Sequence, residues 1–80
     1  MKSIQPDNKW QQLTDGTNRI NLQVTAGSVL YTESDSVPVS DAPGFALHAD
    51  GRIWNIGPEK SWCKSNENTP AVVVICEVAP

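Results

Sequence analysis

The chain of 80 residues contains a single histidine, two cysteines and only six basic residues, set against nine acids. Phosphate recognition needs a basic patch. Here Lys2, Lys9, Arg19, Arg52, Lys60 and Lys64 are scattered, the net charge is −3 and the isoelectric point is near 4.8, so nucleic acid is not expected as a partner. There is no membrane-length hydrophobic run, and the opening "MKSIQPDNKW" has no apolar stretch of signal-peptide length. Neither a membrane span nor secretion is expected, which places the chain in the cytosol or in particles assembled there.

Reactive groups are equally sparse. The one histidine, His48, stands two residues before a predicted turn, with no nucleophile or orienting partner marked around it. It reads as a strand residue at a sheet surface, and no enzymatic activity is expected. His48, Cys63 and Cys76 lack the paired short spacings of a structural zinc site. The only local acidic cluster, "ESDS" at 33–36 with Asp41, lacks the Asp-x-Asp-x-Asp-Gly order of a calcium loop and reads as a solvated crossing loop. No metal or cofactor is expected. A hairpin of 60–65 and 71–78 around "NENTP" would set Cys63 and Cys76 about three positions out of register and on opposite faces, so both are read as free thiols.

What the chain does have is punctuation. Turn signals recur as "DG" at 15–16, "AG" at 26–27, "TESDS" at 32–36, "APG" at 42–44, "DG" at 50–51, "GP" at 57–58 and "NENTP" at 66–70. That rhythm leaves no room for a helix of ordinary length and predicts about seven short strands, over 10–14, 18–25, 28–32, 45–49, 52–56, 61–64 and 71–78. In "RINLQVT", Ile20, Leu22 and Val24 alternate with Arg19, Asn21, Gln23 and Thr25, the mark of a strand with one buried and one wet face. "FALHADGRIWNIG" carries Asp50-Gly51 between two apolar runs and predicts a tight hairpin with both residues at positive φ. The expected fold is all-β, a small antiparallel β-sandwich or partly open barrel over 10–80. Residues 1–9 are polar apart from Ile4 and read as an extended arm that needs a partner to order it.

Three tryptophans are many for so small a chain. Trp54 and Trp62 flank the "GP" turn on neighbouring predicted strands, and Trp10 precedes the first turn. Such residues fill cores, anchor protein interfaces or stack on sugar rings, and a carbohydrate-binding module presenting Trp54 and Trp62 is the alternative function.

The segment "TPAVVVICEVAP" is the most apolar, and both faces of its strand want cover: Val72, Val74, Cys76 and Val78 on one, Val73 and Ile75 on the other. An 80-residue domain buries only about 60 to 65% of its unfolded surface and usually needs a staple, and with neither disulfide nor metal expected, association remains. The expectation is that Val72, Val74 and Val78 fill the core while Val73 and Ile75 meet another copy. The rival is a central strand with both faces in one core.

Taken together, "W..LT.G...I.LQVTAGSVLYTESDS.P" and "GFALHADGRIWNIGPEKSWCKSNENTPAVVVICEVA" resemble the small all-β structural proteins encoded among the head and tail genes of tailed bacteriophages, over residues 10–79. The resemblance implies a virion component assembled in the host cytoplasm: a head decoration protein, a head-fibre base or a tail accessory domain. It implies a homo-oligomer, a trimer before a dimer, bound to the major capsid protein or another virion protein. Trp54, Trp62, Val73, Ile75 and Ile4 are the candidate contact residues.

Overall fold

A computed structural model describes residues 1–66 and 70–78; the middle of the "NENTP" turn and the last two residues lie outside the described ones. Among the described residues the fold is all-β, with eight strands and no helix: β1 (Lys2–Ile4), β2 (Gln11–Thr14), β3 (Arg19–Ala26), β4 (Ser28–Glu33), β5 (Phe45–His48), β6 (Trp54–Ile56), β7 (Ser61–Ser65) and β8 (Val72–Val78). They form two four-stranded antiparallel sheets packed as a sandwich, in the orders β1-β8-β3-β6 and β2-β7-β4-β5. Seven of these strands fall where the turn rhythm predicts them.

The core lies between the sheets. From the first sheet come Ile20, Leu22 and Val24 of β3, Val73 and Ile75 of β8, and Ile56 of β6; from the second come Val29 of β4 and Leu47 of β5. The alternation in β3 has the expected sense, with Ile20, Leu22 and Val24 all at most 2% exposed. The sense of β8 is the reverse of the expected one. Val73 is fully buried and Ile75 nearly so, whereas Val72, Val74, Cys76 and Val78 keep partial exposure on the outer face. The reason is register. β8 pairs with β3 so that Val73 stands opposite Val24 and Ile75 opposite Leu22. Opposed residues in an antiparallel pair point to the same side. Since β3 has only one apolar face, it dictates which face of its two-faced neighbour goes inward.

The connections follow a simple rule: every one crosses from one sheet to the other except that between β4 and β5. Consequently neither expected hairpin forms. The Asp50-Gly51 turn joins β5 in one sheet to β6 in the other; only Gly51 has positive φ, and Asp50 is held by turning locally, its carboxylate accepting the Arg52 N–H at 3.1 Å. A tight two-residue turn would instead have forced the two strands side by side. β7 and β8 likewise sit in different sheets, so Cys63 and Cys76 are kept apart by the sandwich and not by hairpin register, and both thiols are free. Between β3 and β4 the crossing is made at Gly27, φ +70°, where a Cβ would come within 2.6 Å of the Pro70 carbonyl oxygen. Only glycine fits that corner.

The amino-terminal segment is also corrected. β1 adds to β8 as an edge strand, with Ile4 opposite Val73 and packed against the core; Pro6 is buried, and the Asp7 carbonyl accepts the Ser65 N–H at 2.7 Å. The segment gains little from side-chain burial but gains the ladder hydrogen bonds that an edge offers to any extended segment.

In the second sheet Cys63 is fully buried; of the buried Thr14 and Ser61, Thr14 donates its hydroxyl to the Glu59 carbonyl and accepts from the Ser61 hydroxyl. Burial pushes the Cys63 thiol up from its ordinary value of 9.0 to about 12. A raised pKa means that the folded state holds its proton more tightly than the unfolded one. Its contribution to stability is therefore complete below pH 9 and is lost as pH rises toward 12. By pH 10.5 the loss amounts to about 2 kcal/mol. Urea unfolding at pH 7 and pH 10.5 is expected to show this fall in the wild type and a smaller one in Cys63→Ala; equal falls would mean that the thiol does not titrate with folding.

Candidate functional site

Three exterior regions of the sandwich carry apolar or aromatic groups, and the chain treats them differently. The outer face of β2-β7-β4-β5 is covered by the chain itself. Alternation along β7 puts Ser61 and Cys63 inward and Trp62 and Lys64 outward, yet Trp62 is only 8% exposed. Its cover is the connection over 34–44. The Trp62 indole N–H donates to the Ser34 carbonyl at 2.9 Å, the Trp10 indole N–H donates to the Val39 carbonyl at 2.9 Å, and the Lys64 ammonium sits 4.8 Å over the Trp10 ring while donating to the Ser40 carbonyl. Lys60 adds a bond to the Asp35 carbonyl at 3.4 Å. The loop is largely exposed, as expected, but it does not cross between sheets, since β4 and β5 are neighbours in one; it lies as a strap tied by carbonyl acceptors and a cation over an aromatic ring.

The second region is a cleft of about 370 Å³ at the side of the sandwich where β5 and β6, each the edge of its own sheet, diverge from the 49–53 corner. Tyr31, Leu47, Trp54 and Ile56 form its wall and Phe45 stands at its rim, 75% exposed. The Tyr31 hydroxyl donates to the Glu33 carboxylate at 2.9 Å. Burial first, and that carboxylate second, raise the Tyr31 pKa well above its ordinary range, so the phenol is a donor at any ordinary pH.

The outer face of β1-β8-β3-β6 is the third. Val72, Val74, Cys76 and Val78 run down β8, flanked on β3 by Asn21 opposite Cys76 and Gln23 opposite Val74. Asn21 accepts the Asn55 amide from β6 at 3.1 Å. Met1, Ile53, Val74 and Cys76 border a shallow depression of about 80 Å³ there, with Met1 92% and Ile53 68% exposed.

The five candidate contact residues are not brought together. Val73 and Ile75 are core, and Ile4 is half-buried against the same core. Trp54 and Trp62 do not lie on neighbouring strands: Trp54 is on the edge strand β6 of one sheet and lines the cleft, and Trp62 is on the interior strand β7 of the other and lies under the strap. They form no joint platform for a sugar ring. Phe45, Tyr31 and Ile53 were missed as candidates. Phe45 could have been suspected from "FALH", where the strand begins on an aromatic residue with no charged neighbour beyond it. His48 is exposed on β5, Cys63 is inside and Cys76 is on the opposite outer face, and among the described residues no cluster of three or more His, Cys, Asp or Glu is placed to hold a metal ion.

The strap generates a prediction. Trp62→Phe keeps an aromatic ring but removes the indole N–H and the five-membered ring that carries it, which should cost about 2 kcal/mol and admit protease within 34–44. Limited proteolysis followed by mass spectrometry reads this directly: unchanged cleavage there would show that the indole N–H does not hold the strap.

No family model, no curated protein and no solved structure matches this chain.

Proposed function

We propose that this chain is a non-catalytic structural subunit of an assembled particle, a small decoration or accessory protein of the kind carried on the heads and tails of tailed bacteriophages, and that it docks on another virion protein through the outer face of β8. The observation that carries this reading is the second apolar face of that strand. An antiparallel sheet with one wet face alternates apolar inward and polar outward. β3 obeys this rule with Asn21 and Gln23 outside; β8, hydrogen-bonded beside it, has Val72, Val74, Cys76 and Val78 there instead. The inner face already fills the core, and the outer valines, only partly covered in the isolated fold, keep apolar surface that it does not use. Against a protein surface, each would contribute on the order of 1 kcal/mol, and Asn21, Gln23 and Asn55 supply a rim able to form hydrogen bonds.

The resemblance over 10–79 supports this reading and implies the setting, a virion assembled in the host cytoplasm with the major capsid protein or a neighbour as partner. The test is a charge in the middle of the face. Val74→Lys should change stability by less than about 1 kcal/mol, because the ammonium reaches water, and should strip the protein from purified particles. Particles that retain the variant at wild-type occupancy would sink this docking face.

A further inference from the structure

The sandwich has four edge strands, and three of them carry features that discourage pairing with another chain. β1 carries Lys2, β2 has a register shift between Gln12 and Thr14, and β6 has only three residues and runs straight into Gly57-Pro58. Charge, irregularity, shortness and proline are the usual protections. β5 is also short, at four residues, but it has no charge, irregularity or proline. Phe45, Ala46, Leu47 and His48 pair with β4 without a break, and the strand contains no Lys, Arg, Asp, Glu or Pro.

The free side of β5 can be read from the ladder. The Ala49 N–H donates to the Gly27 carbonyl, so the odd-numbered residues of β5 turn their backbone groups toward β4. The even-numbered ones, Ala46 and His48, turn theirs outward. The His48 carbonyl is taken by the Asp50 N–H at 2.9 Å, which leaves the Ala46 N–H, the Ala46 carbonyl and the His48 N–H facing solvent. Beside this edge lie both an exposed apolar plug, the Phe45 ring, and an apolar socket, the cleft walled by Tyr31, Leu47, Trp54 and Ile56. A plug and a socket on one patch of one chain are what a two-fold contact requires, since each copy must offer both.

We infer that β5 is the seam of a symmetric homodimer, in which it pairs antiparallel with β5 of a second copy about a dyad at Ala46. In that register Ala46 exchanges two backbone hydrogen bonds with the partner's Ala46, and each His48 N–H meets the partner's Gly44 carbonyl. Phe45 stands opposite the partner's Leu47 on the inner side, close enough for its ring to close the partner's cleft. Because the register is even, both cores lie on the same side of one continuous eight-stranded sheet. The neutral strand brings no like charges together. The surface differs from the outer face of β8, so dimerisation and attachment to a particle can fail separately.

Sedimentation equilibrium on the full chain decides the matter. The wild type should sediment at twice the chain mass of 8.7 kDa, and its tryptophan emission should shift to the blue as concentration rises, because Trp54 lines the cleft that the partner closes. Ala46→Pro removes an outward N–H that the β4 ladder does not use, and Phe45→Lys removes the plug and brings two charges to the seam. Both should keep the β-sheet circular dichroism and weaken dimerisation by about 100-fold or more. Should Ala46→Pro fail to fold, Phe45→Lys alone carries the test, since Phe45 is already exposed in one copy. A wild type that stays monomeric at millimolar concentration, a trimer, or a dimer that survives Phe45→Lys with its affinity intact would each overturn the proposal.

Discussion

The pairing of β3 with β8 is the constraint on which the rest of the structure depends. Seven pairs of residues meet along it, and it is the spine of its sheet: β1 attaches to the far side of β8 and β6 to the far side of β3. β3 is unambiguous because a shift by one residue would bury Asn21 and Gln23 and expose Ile20, Leu22 and Val24. β8 is ambiguous, since either parity would bury valines. In the pair the strong preference overrules the weak one, and Val72, Val74, Cys76 and Val78 are left outside as a consequence of where Leu22 and Val24 must point. The apolar outer face is thus not a failure of packing. It is what remains when a one-faced strand orients a two-faced one.

Because nearly every connection crosses between sheets, consecutive strands face each other across the core and hardly ever pair. Local sequence contributes corners, such as Gly27, and the ladders join segments distant in sequence, as β1 does with β8. This topology makes contact order high, so folding has to close long loops before the core is rewarded. It also explains the one long connection. β4 and β5 are the only successive strands in the same sheet, and the stretch over 34–44 that joins them is free to lie across that sheet's outer side, where Trp62, Trp10 and Lys64 fasten it.

What was legible in the sequence was periodicity and punctuation. The alternation in "RINLQVT" and the spacing of turn residues located seven strands and the all-β class, because both signals are local. Partners were not legible. "DG" marks a reversal of the chain, but a reversal serves a corner between sheets as well as a hairpin within one, and the choice is made by β3 and β4, which claim β6 and β5 separately. Trp54 and Trp62 were placed together for the same reason and came apart for the same reason. β1 escaped notice because an edge strand is recruited by the backbone of its neighbour, and "KSI" carries almost none of that information in its side chains. In the candidate surfaces, Val73 and Ile75 were named on the right strand and the wrong face, a choice that a period of two leaves open until a neighbour is known.

The three exterior regions also rank by how much the chain invests in covering them. Trp62, the largest outward apolar group on its sheet, has a strap of its own, fastened by indole and ammonium donors to backbone carbonyls. Such a strap costs backbone entropy for each residue ordered, about 1 to 2 kcal/mol apiece, and the buried indole with the bonds that fasten the strap offsets that cost. The same chain spends nothing of that kind on β8 or on the cleft beside β5, although Phe45, Ile53 and Met1 are among its most exposed large apolar residues. In so thin a domain, ordering further segments over those sites would add entropy cost without enlarging the single core. A surface supplied by another protein arrives already ordered, so it covers the same apolar groups without that cost. At the two uncovered regions a partner would therefore be the physically cheaper cover, whereas over Trp62 the chain supplies its own, at the cost of leaving Val37 and Val39 of the strap exposed.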